Sequence, residues 1–342
     1  MSLAEFADAC REIGRDRALV QGGAGNISFK PTGMEMIIKA SGLNLADVTR
    51  EKGYVRLNHQ TVRDFLSGFR EISYSRQIEA GYIEACKAAV IGKSDFVPSI
   101  ETGFHVLLGN SVIHTHAVLI TALVSAAGGK ELIQEAFSGE DFVWVPYTTP
   151  GAFLSREVAR RLRQAGKTGE ENGLLIFLEN HGPIVVADDM RQCLNRHNVM
   201  LDKARHFLAH KGVKIPDFKI PQLKEGQTAF QSRLVGMFMK QPNPENLLGY
   251  QVPDAVVYCG CGFSFNESDA SRISLFGNGR VELPKDTAIN KQYMAEMLIT
   301  MVYNLLLELQ FSRPKYIGKE DEMIIRGMLA EKYRQKISRE RK

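Results

Sequence analysis

The sequence predicts an α/β domain followed by a smaller α+β domain. Between residues 98 and 210, patterns with helical periodicity alternate with short apolar, β-rich runs. The 342 residues are 44% hydrophobic and 24% charged, which is the balance of a globular chain long enough for two domains. The composition changes after residue 210, so we place the boundary at residue 213, with domains over 1–213 and 214–342.

Helices and strands follow in order along the first domain. An apolar stripe through Leu3, Phe6 and Cys10 predicts an opening helix, and the glycines before Asn26 form a loop that leads into the first strand. The patterns predict helices over 3–15, 76–91, 101–108, 154–165 and 189–210 with one more ending at 127, and strands over 26–30, 34–39, 111–116, 142–146, 174–179 and 184–187.

The second domain begins with a linker. Residues 211–227 are rich in lysine and proline, and β-like runs follow at 255–259, 273–276 and 280–283. Gly277-Asn278-Gly279 predicts a hairpin turn between the last two of these runs. Two helices, over 289–309 and 320–337, are predicted to close the chain.

Charge and hydropathy argue against nucleic-acid and membrane proteins. The formal net charge is +4, and the segment 331–342 alone has six basic and two acidic residues. We interpret this segment as a solvated helix end, because a nucleic-acid binder normally carries its basic face on the folded body. The most apolar stretch, 106–127, is interrupted by Asn110, His114 and His116, so no membrane span is expected.

Cysteine usage points to a reducing compartment. Five scattered cysteines, and a start without a secretory apolar segment, predict reduced thiols in the cytoplasm. Cys259-Gly260-Cys261 could bind a soft metal, but no second cysteine or histidine pair lies nearby. We favour two thiols at the end of a buried strand.

The most informative tripeptide is His114-Thr115-His116. In a strand, residues i and i+2 point to the same face, so both imidazoles can meet one ion. His181 lies at a strand end before a Gly-Pro turn, from which a side chain can project into a cleft. Three imidazoles with an open fourth position are typical of a catalytic zinc site, although His181 by itself could be an ordinary turn histidine.

An acidic residue and several small polar turns add to this pattern. Glu101 opens a predicted helix; it either stabilises the helix N-terminus or serves as a general acid/base beside the metal. Asn26, Ser41, Gly42 and Ser99 lie in turns or before a helix, where backbone N–H groups can converge on a phosphate or another anion.

Taken together, these residues resemble the class II aldolase/adducin family. The resemblance covers residues 3–210 and rests on five motifs in the family's order: Gly25-Asn26-Ile27-Ser28, Ala40-Ser41-Gly42, Pro98-Ser99-Ile100-Glu101, His114-Thr115-His116 and Asn180-His181-Gly182. It implies a three-layer α/β/α domain around a mainly antiparallel sheet. It also implies a homo-oligomer, usually a tetramer, with active sites at subunit contacts.

The resemblance implies roles for the motif residues. His114, His116 and His181 correspond to the zinc ligands, and Glu101 corresponds to the acid/base that moves protons. Asn26, Ser41, Gly42 and Ser99 fall where the family binds the substrate phosphate. The family's zinc acts as a Lewis acid that stabilises the enediolate formed when a ketose or ketose phosphate is cleaved.

This sequence departs from the family at the anion pocket. Ile100 replaces the second serine that often precedes the acid, which removes a hydroxyl and leaves an unphosphorylated or acidic substrate open. In the second domain no dinucleotide-binding motif follows a strand. The sequence leaves three roles for this domain: packing, oligomer contacts or a lid. Tyr258 and Tyr293 are the residues of this domain that we expect to contribute to a site.

We therefore rank three candidate functions, from the most to the least favoured. The first is a zinc-dependent aldehyde-lyase of carbohydrate metabolism, which Glu101 favours because the family's epimerases usually have aspartate there. The second is an epimerase, dehydratase or decarboxylase on the same metal site. The third is a non-catalytic interaction protein of the adducin kind, whose relatives lack the metal histidines. Another divalent ion in place of zinc is also open, because three-histidine sites accept several.

Overall fold

The structure is a computed structural model that describes residues 2–69 and 74–328. The strands are β1 (Asn26–Phe29), β2 (Glu35–Lys39), β3 (Tyr54–Asn58), β4 (Ser111–His114), β5 (Phe142–Val145), β6 (Leu174–Leu178), β7 (Gly182–Ala187), β8 (Ala229–Gln231), β9 (Phe263–Phe265), β10 (Ile273–Leu275) and β11 (Arg280–Glu282). The helices are α1 (Leu3–Arg15), α2 (His59–Gly68), α3 (Arg76–Ala88), α4 (Thr102–Leu107), α5 (Val118–Val124), α6 (Gly129–Ala136), α7 (Ala152–Gln164), α8 (Met190–His210), α9 (Arg233–Phe238), α10 (Pro253–Cys259), α11 (Lys291–Glu308) and α12 (Lys319–Gly327), with short 3₁₀ turns at Leu45–Asp47 and Pro244–Leu248.

A seven-stranded sheet forms the centre of the first domain. Its strand order is β3-β2-β1-β4-β7-β6-β5. Only the β5–β6 pair is parallel among these described strands, and the other neighbours run antiparallel. The expected mainly antiparallel sheet is therefore confirmed.

Helices cover both faces of this sheet. Along β6, Leu175 and Phe177 pack into one hydrophobic core with residues of α5 and α8. Leu174 and Ile176, which alternate with them, pack into a second core with residues of α4 and α7. Because successive strand residues point to opposite faces, an apolar run such as β6 requires both faces to be covered. The α/β/α layering is confirmed.

The chain beyond residue 213 has its own small sheet and packs on the first domain. This sheet has the strand order β8-β11-β10-β9, and β10 and β11 form the hairpin predicted around Gly277–Gly279. The helix α11 is buried along most of its length and shares one hydrophobic cluster with α1, α5 and α8. The linker contains no helix or strand over 213–227, and the Leu223 N–H donates to Oε1 of Gln292 at 2.9 Å. The division into domains at residue 213 stays a prediction.

One predicted strand is wrong. Residues 255–259 belong to the helix α10, so Cys259 ends a helix and not a buried strand. The run Ala-Val-Val-Tyr-Cys is too short for its periodicity to separate helix from strand. The decisive signal is Pro253 at the first helical position, followed by Asp254 in the first turn.

Several elements were not predicted or lie partly outside the described residues. The unpredicted elements are β3, β8, β9, α2, α6 and α9. The final predicted helix is described only over Lys319–Gly327, and both its continuation to 337 and the basic segment 331–342 lie outside the described residues. No helix in the described ranges combines the length and apolarity that crossing a membrane requires.

Candidate metal centre

Two of the predicted ligands are supplied by β4 and the residues that follow it. His114 ends the strand, where it pairs with Asn26 of β1 on one side and with Ile184 of β7 on the other. His116 follows two positions later, and its N–H donates to the Leu19 carbonyl at 2.9 Å. Both imidazoles are buried and their ring centroids lie 4.9 Å apart.

The residue between them faces the other way. Oγ1 of Thr115 lies 2.9 Å from Nε2 of His197, a buried residue of α8. The observed strand ends at His114, two residues before the predicted end, yet the expected alternation holds: Thr115 packs against a helix, while His114 and His116 face the site.

His181 enters the site from the turn between β6 and β7. Asn180 adopts a left-handed conformation with φ 54°, which sharpens this turn. Gly182 has no space for a side chain, because a Cβ atom there would lie 2.3 Å from the Thr115 carbonyl oxygen. The close approach brings the His181 ring to 5.0 Å from His114 and 4.9 Å from His116, centroid to centroid.

Glu101 enters from the start of α4. It is the N-cap residue of this helix, yet its side chain makes no capping hydrogen bond. Its carboxylate turns into the site, where Oε2 accepts a hydrogen bond from the Asn26 side-chain amide. Glu101 is only 7% exposed, so the site, and not the helix end, is its environment.

The four side chains converge on one point. Glu101, His114, His116 and His181 each offer a ligand atom, and these atoms all lie within 4.8 Å of one another. Oε1 of Glu101 lies 3.0 Å from Nε2 of His181 and 3.3 Å from Nε2 of His114. Nε2 of His114 lies 3.1 Å from Nε2 of His116.

This donor set fits a divalent ion. A tetrahedral zinc ion with bonds of about 2.0–2.1 Å separates its ligand atoms by about 3.3–3.4 Å, close to the spacings between these donors. The ring hydrogen bond of His114 fits as well. Its Nδ1 lies 2.9 Å from the Pro183 carbonyl and must donate to it, so Nε2 is the ring nitrogen available to a metal.

The protonation states suit metal binding. Burial lowers the pKa of His181 to about 4, so its imidazole is neutral near pH 7. Burial alone would raise the pKa of the Glu101 carboxyl, but its contacts with His114 and His181 outweigh burial and hold that pKa well below the ordinary value. A metal requires neutral imidazoles and an ionised carboxylate, and both pKa shifts favour those states.

A pocket opens beside the four donors. It is lined by Gly23, Ala24, Gly25, Asn26, Lys39, Ser41, Gly42, Ser99, Ile100, Glu101, His116, Pro150, His181, Pro253 and Asp254. All the residues predicted to bind substrate or phosphate are in this set. The structure therefore brings them next to the four donors, while their roles stay predictions.

Backbone contacts bring the segment around Ser41 next to the segment around Ser99. The Ser41 N–H donates to the Val97 carbonyl at 3.0 Å, and Ala40 forms a β-bridge with Pro98. These contacts carry Ser41 to the segment that contains Ser99. Oγ of Ser99 accepts a hydrogen bond of 3.2 Å from the Glu101 N–H.

Two charged residues of the pocket were missed from the sequence. Lys39 is 2% exposed, and its ammonium donates to the carbonyls of Gly23 at 2.7 Å and Gly25 at 3.0 Å. A lysine that directly follows Ile37 and Ile38 in a buried strand was the available signal. Asp254 is also 2% exposed and reaches the pocket from α10, a helix whose residues 255–259 the sequence pattern predicts as a strand.

The tyrosines expected from the second domain support the loops around the pocket. The Tyr258 hydroxyl donates to the Gly22 carbonyl at 2.7 Å, and the Tyr293 hydroxyl donates to Oδ1 of Asn44 at 3.0 Å. Neither is among the described residues that line the pocket. All five cysteines carry free thiols, and none belongs to the cluster of donors found within the described residues.

Comparison with known proteins gives one family and several similar proteins. Residues 4–207 match the family model of the Class II Aldolase and Adducin N-terminal domain. The uncharacterized oxidoreductase YuxG of Bacillus subtilis is 28% identical over 205 residues, and the match covers 57% of this chain but only 28% of that protein.

Two solved structures are similar to part of this chain. The N-terminal class II aldolase domain of a conserved protein from Thermoplasma acidophilum is 24% identical with a TM-score of 0.51, covering 61% of this chain and 94% of that chain. The l-fuculose-1-phosphate aldolase from Thermus thermophilus is 18% identical with a TM-score of 0.40, covering 61% of this chain and 97% of that chain.

Proposed function

The chain belongs to the class II aldolase and adducin family, and we propose that it is a zinc-dependent lyase that cleaves a carbon–carbon bond of a ketose or ketose phosphate. The observation that carries the proposal is the convergence of Glu101 with three buried imidazoles beside a pocket. A protein that only binds partners has no need for four buried donors at metal-ligand spacing.

Residues His114, His116 and His181 would hold the ion. When bound, a divalent ion supplies Lewis-acid polarisation of the substrate's oxygens and stabilises the negative charge that develops on them. The burial of the three rings keeps bulk water from competing with the substrate in this small pocket.

The Glu101 carboxylate would move the proton. It is ionised near pH 7, and the Asn26 amide holds its Oε2. Its Oε1 remains directed towards the histidines, so one oxygen is fixed while the other can accept a proton from the substrate hydroxyl and return one to carbon.

The rest of the pocket would recognise the polar end of the substrate. Ser41 and Ser99 would provide hydroxyl groups and Gly42 a backbone N–H group, in a pocket that the buried Lys39 also lines. Hydroxyl and N–H donors, with a lysine among the lining residues, suit a phosphate or carboxylate group. Ile100 lines the same pocket without a hydroxyl, so an unphosphorylated or acidic substrate stays an alternative to a phosphate ester.

The proposal is tested by product analysis on the metal-loaded full chain. A panel of ketoses and ketose 1-phosphates is incubated with the zinc-loaded protein, and aldehyde release is measured alongside nuclear magnetic resonance of the whole mixture. We expect a new aldehyde and its partner ketone in equal amounts. Epimeric, dehydrated or decarboxylated product without aldehyde would contradict the lyase and favour the second class of enzyme on this site.

Two further expectations accompany the lyase. We propose a homo-oligomer, in line with the family's subunit-contact sites, and a cytoplasmic location in line with the free cysteines. Sedimentation of the purified chain tests the first, and a monomer at micromolar concentration would contradict it.

A further inference from the structure

The chain beyond residue 213 supplies a charged residue next to the four donors. Helix α10 begins at Pro253 and places Asp254 in its first turn, 2% exposed. Oδ2 of Asp254 lies 3.0 Å from Nδ1 of His116. The two atoms are at hydrogen-bond distance, although the ring N–H is not aligned as in a regular hydrogen bond.

The other nitrogen of the same ring faces the cluster. Nε2 of His116 lies 3.1 Å from Nε2 of His114. His116 thus sits between the donors on one side and a carboxylate on the other. A histidine that binds a metal almost always donates its second ring N–H to a carboxylate, a carbonyl or water, which fixes the tautomer and orients the ring.

In His114, the ring nitrogen that points away from the donors faces a different group. His114 has the backbone carbonyl of Pro183 in that position, and this partner comes from the first domain. His116 has instead a carboxylate from beyond residue 207, where the family match ends. The outer contact to His116 is therefore made by a part of this chain that the family model does not cover.

Two anchors hold α10 against the site. Before the helix, the Gln251 carbonyl accepts a hydrogen bond of 2.8 Å from the side-chain amide of Asn180, the residue that precedes His181. Within the helix, the Tyr258 hydroxyl donates to the Gly22 carbonyl at 2.7 Å. Asp254 lies between these anchors in sequence, so its carboxylate is held in register with His116.

We propose that Asp254 is a positioning residue that keeps the proton of His116 on Nδ1 and so presents Nε2 to the metal. The inference rests on the proposed metal site and deepens it. It gives the second domain a specific task, which is to complete the metal centre.

The test compares metal binding by full-length variants. Affinity for zinc is measured by competition with a chromophoric chelator, and cobalt is substituted to read the ligand field from its visible spectrum. We expect Asp254→Ala to bind zinc about 10- to 100-fold more weakly, which is the usual loss when the group facing the second ring nitrogen of a metal-binding histidine is removed. Asp254→Asn, which keeps an oxygen acceptor, should fall between this variant and the wild type.

A matched control comes from the same domain. Asp321 lies on α12, and its Oδ1 accepts a hydrogen bond of 3.2 Å from the Thr149 hydroxyl. Asp321→Ala should leave both the zinc affinity and the cobalt spectrum unchanged. A change in the Asp254→Ala spectrum with an unchanged Asp321→Ala spectrum would separate ligand orientation from a general loosening of the domain.

The outcomes distinguish this inference from the proposed function. Wild-type affinity and an unchanged cobalt spectrum in Asp254→Ala would overturn the inference and leave the metal site standing. No metal binding by the wild type would overturn both. A second measurement needs no variant at residue 254: in the zinc-loaded wild type, ¹H–¹⁵N spectra should show a protected proton on Nδ1 of His116, and its absence would overturn the inference.

Discussion

Replacement of Glu101 by glutamine separates metal binding from proton transfer. Glutamine has nearly the same shape, so its carbonyl oxygen can still accept the hydrogen bond from Asn26. Its amide NH₂ then faces Nε2 of His114 and Nε2 of His181, at the positions where Oε1 now lies 3.3 and 3.0 Å away. The change removes the negative charge and the basic oxygen with little change in side-chain volume.

The expected loss is in turnover. A positioned general acid/base contributes about 10²- to 10⁴-fold, so kcat of Glu101→Gln should fall by about 10²-fold or more. A loss of that size corresponds to about 2.7 kcal/mol or more in the activation barrier. The three histidines stay in place, and we expect the variant to retain its metal.

The assay measures kcat for the aldehyde-releasing reaction together with the metal content of the same sample. Glu131→Gln serves as the control, because Glu131 is an exposed residue of α6. Near-normal turnover with the metal retained would refute the role of Glu101 as acid/base. Loss of the metal would refute the expectation that three imidazoles suffice to hold it.

The other predictions concern a ligand, the anion pocket and acid stability. His181→Ala should lose bound metal yet remain folded, as checked by metal analysis and circular dichroism against the exposed His206→Ala control; full metal retention would remove His181 from the site. Ile100→Ser should restore a hydroxyl to the pocket wall and raise kcat/KM for phosphorylated over unphosphorylated ketoses; an unchanged ratio would contradict the assigned anion pocket. Burial lowers the pKa of His197 to about 4. In the unfolded chain the same imidazole has the ordinary pKa of about 6.5, so between pH 6.5 and 4 the unfolded state binds more protons than the folded state. The free energy of unfolding therefore decreases as the pH is lowered over this range, by about 3 kcal/mol at pH 4. Denaturant unfolding at pH 6.5 and 4 should show a smaller decrease in the free energy of unfolding for His197→Gln than for the wild type. Equal decreases in the two proteins would contradict this effect of His197.

Local pattern was sufficient for much of the fold. The five-residue strand β6 reads as a continuous apolar run because both its faces are covered. Helix α8 runs from Met190 to His210 and was assigned nearly to its ends, since a long amphipathic repeat is the clearest of sequence signals. Short elements such as β8 and β9, of three residues each, leave too little pattern to identify and depend on their partners in the sheet.

The residues of the site also differ in how far local sequence pattern predicts their positions. Strand alternation alone indicates that His114 and His116 share a face, and the Thr115 contact with His197 confirms the opposite face. The approach of His181 and Glu101 depends on turns that bring distant strands together. The residues alone left both open between a structural and a functional role, and the family resemblance assigned them to the site. Asp254 was missed because the run after it was assigned to a strand.

The most direct test of the account is elemental analysis of the protein purified without a chelator and without a histidine tag. The convergence of Glu101, His114, His116 and His181 predicts about one zinc or other divalent ion per chain. The His181→Ala protein, prepared in parallel, should be depleted of it. A wild-type protein that is metal-free and also refuses zinc on titration would contradict the metal centre, and with it every enzymatic function proposed for this site.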